Sequence, residues 1–142
     1  RSLLGSEMCI RDSHGTRLKE NKDLMNYVND HRITLEICLT SNWQTKSIRS
    51  LKYHPLKYYY DQGIRVTINT DNRLMSGTTL TKEFLLAHKL FGFKLHDFRE
   101  MIIMAMKSAF LPYAERKKMI RNIADELEQD FSLMPEFIER KN

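Results

Sequence analysis

The sequence predicts an α/β chain built on an incomplete parallel sheet, and three observations lead there. Two short runs of apolar and β-branched residues, at 33–39 and 64–69, are each followed by a polar loop and then by helical spacing. Everything beyond residue 80 reads as helix. Strands joined through helices are normally buried on both faces of a larger sheet. Two strands cannot build one, so the chain is expected to be a fragment of a fold with more strands than its 142 residues supply.

The elements follow in order. Residues 1–13 have neither helical nor strand periodicity and resemble translated sequencing-adaptor sequence, so they are expected to be a non-native or disordered leader. Asn21 is placed to cap a polar helix over 22–30. The run Ile33-Thr34-Leu35-Glu36-Ile37-Cys38-Leu39 reads as a strand with one internal acid, ending in the turn cluster Thr40-Ser41-Asn42. Pro55 suits the first turn of a short helix over 56–62, and Gly63 suits its end. The second strand, 64–69, opens into a polar loop over 73–79. Helices are expected at 81–91, stopped by Gly92, at 96–109, and at 112–130. The Met-rich run 101–106 reads as core packing, and Trp43 is likewise expected to pack. The domain is expected over 14–130, with a frayed tail over 131–142.

Composition bounds the function classes. With 42% hydrophobic and 29% charged residues, the chain fits a globular domain with a core. No apolar run approaches the roughly 18 residues a membrane span needs, so no membrane partner is expected. Two cysteines without CxxC spacing, Cys9 and Cys38, argue against a disulfide framework and a cysteine zinc site, which suggests a reducing, cytoplasmic setting. The net charge is +5, and Lys46, Arg49, Lys52, Lys57 and Arg65 lie among Tyr53, Tyr58, Tyr59 and Tyr60. Such a face could serve a non-catalytic helical binding module, but no nucleic-acid motif accompanies it and no nucleic-acid partner is expected.

The most informative stretch is Arg65-Val66-Thr67-Ile68-Asn69-Thr70-Asp71-Asn72. A strand that delivers an acid at its carboxyl end is how barrel enzymes place catalytic groups. Asp and Asn also simply start turns, and this stretch alone does not separate the two.

Taken with its companions, the chain resembles the C-terminal part of an adenosine deaminase of the amidohydrolase superfamily. His14-Gly15-Thr16-Arg17-Leu18 is similar to that family's histidine motif at the end of barrel strand six. Glu36-Ile37-Cys38-Leu39-Thr40-Ser41-Asn42 resembles strand seven, and Asn69-Thr70-Asp71-Asn72 resembles strand eight. Ser76-Gly77-Thr78-Thr79-Leu80-Thr81 is similar to the loop after it, and Ser108-Ala109-Phe110-Leu111-Pro112 to a late helix junction.

The resemblance implies about strands six to eight, with the following helices, of a (β/α)8 TIM-type barrel. It also implies a zinc-dependent hydrolytic deamination of adenosine or 2'-deoxyadenosine in purine salvage, in which zinc activates a water that attacks purine C6 and ammonia leaves. By the same resemblance Asp71 is the carboxylate zinc ligand, and His14 is the catalytic imidazole that orients or deprotonates the water. Asn72 corresponds, by that resemblance, to the residue that contacts purine N7, where many relatives carry Asp. The family's remaining metal ligands and its proton-donating glutamate lie upstream of His14, so the isolated chain is expected to bind zinc poorly and to lack turnover. The expected partner is a small purine nucleoside; adenine or another 6-aminopurine derivative is the alternative substrate, and the oligomeric state is not readable. The other histidines, His31, His54, His88 and His96, match no functional position; His54-Pro55 reads as structural and His96-Asp97 as a helix start.

Overall fold

The computed structural model describes residues 15–132, with side-chain burial to residue 126. His14, the leader 1–13 and the tail beyond 132 lie outside the described residues. The chain forms two compact units, the first ending at Gly92 and the second beginning at Phe93.

The first unit is organised by two parallel strands, β1 (Leu35–Ile37) and β2 (Val66–Ile68), paired Leu35 with Val66, Glu36 with Thr67 and Ile37 with Ile68. Bonds from Leu35 N–H to the Arg65 carbonyl (2.9 Å) and from Asn69 N–H to the Ile37 carbonyl (2.8 Å) extend the pairing at both ends. Side chains alternate across a sheet, so Leu35, Ile37, Val66 and Ile68 share one face. All four are buried, together with Val28, Leu39, Leu56 and Tyr59. Glu36 and Thr67 occupy the opposite face, where Glu36 is exposed. The strands are shorter than the runs 33–39 and 64–69 because ladder bonding, not apolar pattern, sets their length.

Helix α1 (Lys22–Asp30) has the expected Asn21 cap, whose side chain accepts from Leu24 N–H at 3.0 Å, and it buries Met25 and Val28, one turn apart. Helix α2 (Leu39–Gln44) begins directly after β1, where a turn was expected. Thr40, Ser41 and the NH2 of Asn42 bond to distant side chains and not to a local turn, while the buried Asn42 Oδ1 accepts no bond among the described residues. Helix α3 (Leu56–Asp61) starts after Pro55 and buries Leu56 and Tyr59. Gly63, two residues past its end, sits at φ +75°, as a left-handed helix end favours.

After β2, a single helical turn α4 (Arg73–Ser76) takes up part of the expected loop, capped by Asn72 and closed by Gly77. Helix α5 (Leu80–Phe91) is capped by the Thr79 hydroxyl and closed by Gly92. Helix α3 and helix α5 both contact β2, and α2 contacts α4 and α5.

The second unit is a helix pair, α6 (Leu95–Lys107) and α7 (Tyr113–Ser132), packed on each other. Asp97 in the first turn of α6 accepts from Lys94 N–H at 2.7 Å, which explains the helix start seen in the sequence. In the Met-rich run Met101 is buried, whereas Met104 and Met106 are half-buried. No described helix is long and apolar enough to cross a membrane.

Gly15 fixes the entry to the first unit. Its φ is +65°, and a Cβ there would meet Leu35 Cδ1 at 3.1 Å and Cδ2 at 3.3 Å. Strained backbone and crowding against a buried leucine add. Gly15→Ala is therefore expected to lower unfolding stability by roughly 2–4 kcal/mol, read from the urea midpoint; a change near zero would show that the corner relaxes freely.

Candidate active site

In parallel α/β folds, loops at the carboxyl ends of the strands carry the chemistry. Here β1 and β2 end side by side, and the residues after them meet. The Ser41 hydroxyl, in α2 after β1, donates to Asp71 Oδ2 at 2.7 Å, three residues past the end of β2. Asp71 Oδ1 accepts from Asn72 N–H at 2.8 Å. Each carboxylate oxygen thus has a fixed donor. An ionised carboxylate offers about four acceptor positions, so these bonds orient Asp71 and remain compatible with a metal.

Asn72 is committed on one side. Its Oδ1 accepts from Leu74 N–H (3.1 Å) and Met75 N–H (3.2 Å), capping α4. Its side-chain NH2 is the group suited to a ligand acceptor. Beyond it Leu74 and Met75 are 95% and 81% exposed, and Trp43 on α2 is 53% exposed. Trp43 therefore does not pack as the sequence suggested: α2 turns it outward while burying Leu39, Ser41 and Asn42.

Nothing in the sequence singles out Glu83. It lies in the first turn of α5 and is 1% exposed. Its Oε2 accepts from Thr40 N–H at 3.2 Å, and its Oε1 accepts from the Thr40 hydroxyl and from the Thr78 hydroxyl at 2.8 Å. An acid in a helix's first turn usually answers the helix dipole from the surface; only the fold reveals that this one is buried between α2 and the loop that precedes α5.

Tyr59, one of the tyrosines in the basic segment, is also internal. Its hydroxyl donates to the Gly15 carbonyl at 2.6 Å and accepts from Lys19 N–H at 2.8 Å. It anchors the residues that directly follow His14. His54 is structural, as expected: its Nδ1 accepts from Leu56 N–H at 3.0 Å and its Nε2 lies 2.9 Å from the Asn42 amide. His31 stacks on Tyr27 at 3.9 Å.

Among the described residues no three His, Cys, Asp or Glu side chains gather as metal donors. Asp71 cannot hold a four-coordinate metal by itself.

The sequence from residue 8 to residue 126 matches the family model described as adenosine deaminase. The chain belongs to the adenosine deaminase family. It is 37% identical over 123 residues to an adenosine deaminase of Shewanella halifaxensis, covering 87% of this chain and 36% of the relative. It is 39% identical over 124 residues to an adenosine deaminase of Mycobacteroides abscessus, covering 80% and 34%. The chain thus spans about a third of the length of these relatives.

Among solved structures, an adenine deaminase from Arthrobacter aurescens superposes with a TM-score of 0.75 at 21% identity, covering 81% of this chain and 35% of that one. An N6-mAMP deaminase from Arabidopsis gives 0.67 at 27% identity, covering 75% and 31%. A zinc-bound amidohydrolase from Burkholderia ambifaria gives 0.77 at 16% identity, covering 86% of this chain and 34% of that one. The fold of this family member is accordingly part of a TIM-type amidohydrolase barrel, and the described residues contribute two of its strands.

Burial shapes the titration of two groups here. Burial, reinforced by the nearby carboxylates of Asp71, Glu83 and Glu36, pushes the Cys38 thiol from 9.0 up to about 12. Burial likewise pushes the Tyr59 hydroxyl from 10.0 up to about 12, against the lowering effect of the Lys19 N–H. Above pH 9 the unfolded chain loses these protons while the folded chain keeps them, so stability falls as pH rises from about 9 toward 12. Urea midpoints measured across that range are expected to drop, and Cys38→Ala is expected to make the drop shallower; identical slopes in both proteins would contradict this.

Proposed function

We propose that this chain supplies the strand-six-to-eight portion of a zinc-dependent adenosine deaminase, converting adenosine or 2'-deoxyadenosine and water to inosine or 2'-deoxyinosine and ammonia. The supporting observation is Asp71, held at the carboxyl edge by Ser41 in a chain of this family. Asp71 is the carboxylate metal ligand, oriented by its two donors. Zinc, when bound, supplies a water whose pKa is lowered toward neutrality. Asn72 uses its NH2 to donate to purine N7, while its Oδ1 stays on the α4 amides. His14 takes the proton from the attacking water and stabilises the charge that develops, a role suited to imidazole. The Tyr59 hydroxyl assists by holding the adjacent Gly15 carbonyl.

Adenosine is favoured over other 6-aminopurines because the curated relatives at 37% and 39% identity are adenosine deaminases. The N6-mAMP deaminase at 27% identity keeps a nucleotide as the second reading.

The test supplies the rest of a relative's length in trans. This chain is mixed or co-expressed with the first two-thirds of the Shewanella halifaxensis relative, and inosine is followed by chromatography with adenosine, adenine and AMP as substrates. The mixture is expected to release inosine and the isolated chain to release none. Asp71→Ala is expected to cost more than the roughly 10–100-fold typical of outer metal partners. Asn72→Ala is expected to raise KM by about tenfold, the worth of one hydrogen bond. Inosine from the isolated chain, or undiminished turnover in the Asp71 variant, would defeat the proposal.

A further inference from the structure

We infer that Glu83 is a positioning residue that sets the place of Asp71 through Thr40 and Ser41, a role that takes its catalytic meaning from the function proposed above. The geometry is a continuous chain of bonds. Helix α2 has six residues, and its N-cap residue, Cys38, makes no side-chain cap bond. The Thr40 N–H in its first turn is instead taken by Glu83 Oε2 at 3.2 Å, from a helix 43 residues away in sequence. The Thr40 hydroxyl binds the other oxygen of the same carboxylate. The next residue is Ser41, whose hydroxyl donates to Asp71 Oδ2 at 2.7 Å.

Glu83 also accepts from the Thr78 hydroxyl at 2.8 Å, so one carboxylate grips the segments that follow both strands. A second crosslink runs beside it, from the Gln44 side chain on α2 to the Ser76 carbonyl at 3.1 Å. A carboxylate that accepts three bonds while 1% exposed is costly to bury unless those bonds are all made. Its presence therefore holds Thr40 and Thr78 at fixed positions, and Ser41 is fixed with them. A misplacement near 1 Å of a reacting or metal-binding group can cost about 100-fold in rate, which is the scale on which such a tie matters.

On this assignment Glu83 does not touch substrate; it acts on Asp71 through Thr40 and Ser41. Its contribution is readable without turnover, because the Asn72 N–H donates to Asp71 at 2.8 Å and so reports where that carboxylate sits.

The experiment compares amide hydrogen exchange in the full chain and in Glu83→Gln, Thr40→Val and Thr40→Ser. Glu83→Gln keeps the shape but sets an NH2 among donors, and Thr40→Val removes one hydroxyl without touching the carboxylate. Hydrogen bonds to charged groups support about a tenfold change in local opening. Glu83→Gln and Thr40→Val are expected to speed exchange at the Thr40-position and Asn72 amides by about tenfold. Val28 and Leu56 are expected to keep their protection, and Thr40→Ser to restore the native pattern. An unchanged Asn72 amide, or a uniform loss of protection across the chain, would overturn the inference.

In the enzyme reconstituted in trans, the same two variants are expected to lower kcat with KM for adenosine preserved, and Thr40→Ser to recover kcat. A silent wild-type mixture would defeat the assigned activity while the exchange result still decides the role of Glu83.

Discussion

The in-register parallel pairing of β1 with β2 is the constraint on which the rest of the first unit depends. A slip of one residue would turn Leu35 and Ile37 away from Val66 and Ile68 and carry every following side chain to the other face. In the observed register the two strands end level. The Ser41 hydroxyl therefore reaches Asp71 across 30 positions of sequence, and Glu83 reaches Thr40 across 43. The apolar face makes the alignment costly to change, because Leu35, Ile37 and Val66 are fully buried. Packing on one side of the sheet thus supports polar geometry at its end.

Much of this was legible in residue types whose effect is local. Asn21 caps the helix it was expected to cap, Pro55 precedes α3, and Gly63 and Gly92 adopt the left-handed conformations that close helices. The segment around Asp71 was legible because a strand pattern ending in an acid has a recognisable form. Helices α2 and α4 were not, because Thr40, Ser41, Asn42 and Asn72 are turn formers by local preference. Their partners lie elsewhere: Glu83, Asp71 and His54 bond to the side chains of α2, and Asn72 turns its own side chain into a cap. Glu83 was invisible for the same reason, since burial of its carboxyl group depends on which segments fold over it.

The basic tyrosine-rich segment shows how composition can mislead in one direction. Tyr53 and Tyr58 are exposed, yet Tyr59 is fully buried and spends its hydroxyl on the Gly15 carbonyl and the Lys19 amide. Lys57 pairs with Asp61 one turn on, which neutralises part of the charge on α3. The segment divides into an internal anchor and a surface, and only the surface part carries the average character of the run. The anchor links the middle of the chain to the corner beside the histidine motif, tying local order at residue 15 to the seating of α3.

Glu36 at the centre of β1 has a consequence for self-association. If two copies aligned their β1 strands antiparallel about the middle residue, Glu36 would stand opposite its own counterpart, and like charges directly across a ladder oppose pairing. The three-residue strand leaves little apolar length on either side to offset that repulsion. A neighbour offering a hydroxyl or a cation at the facing position meets no such barrier. One acid at the centre of a short strand thereby weighs against antiparallel pairing of β1 with its own copy.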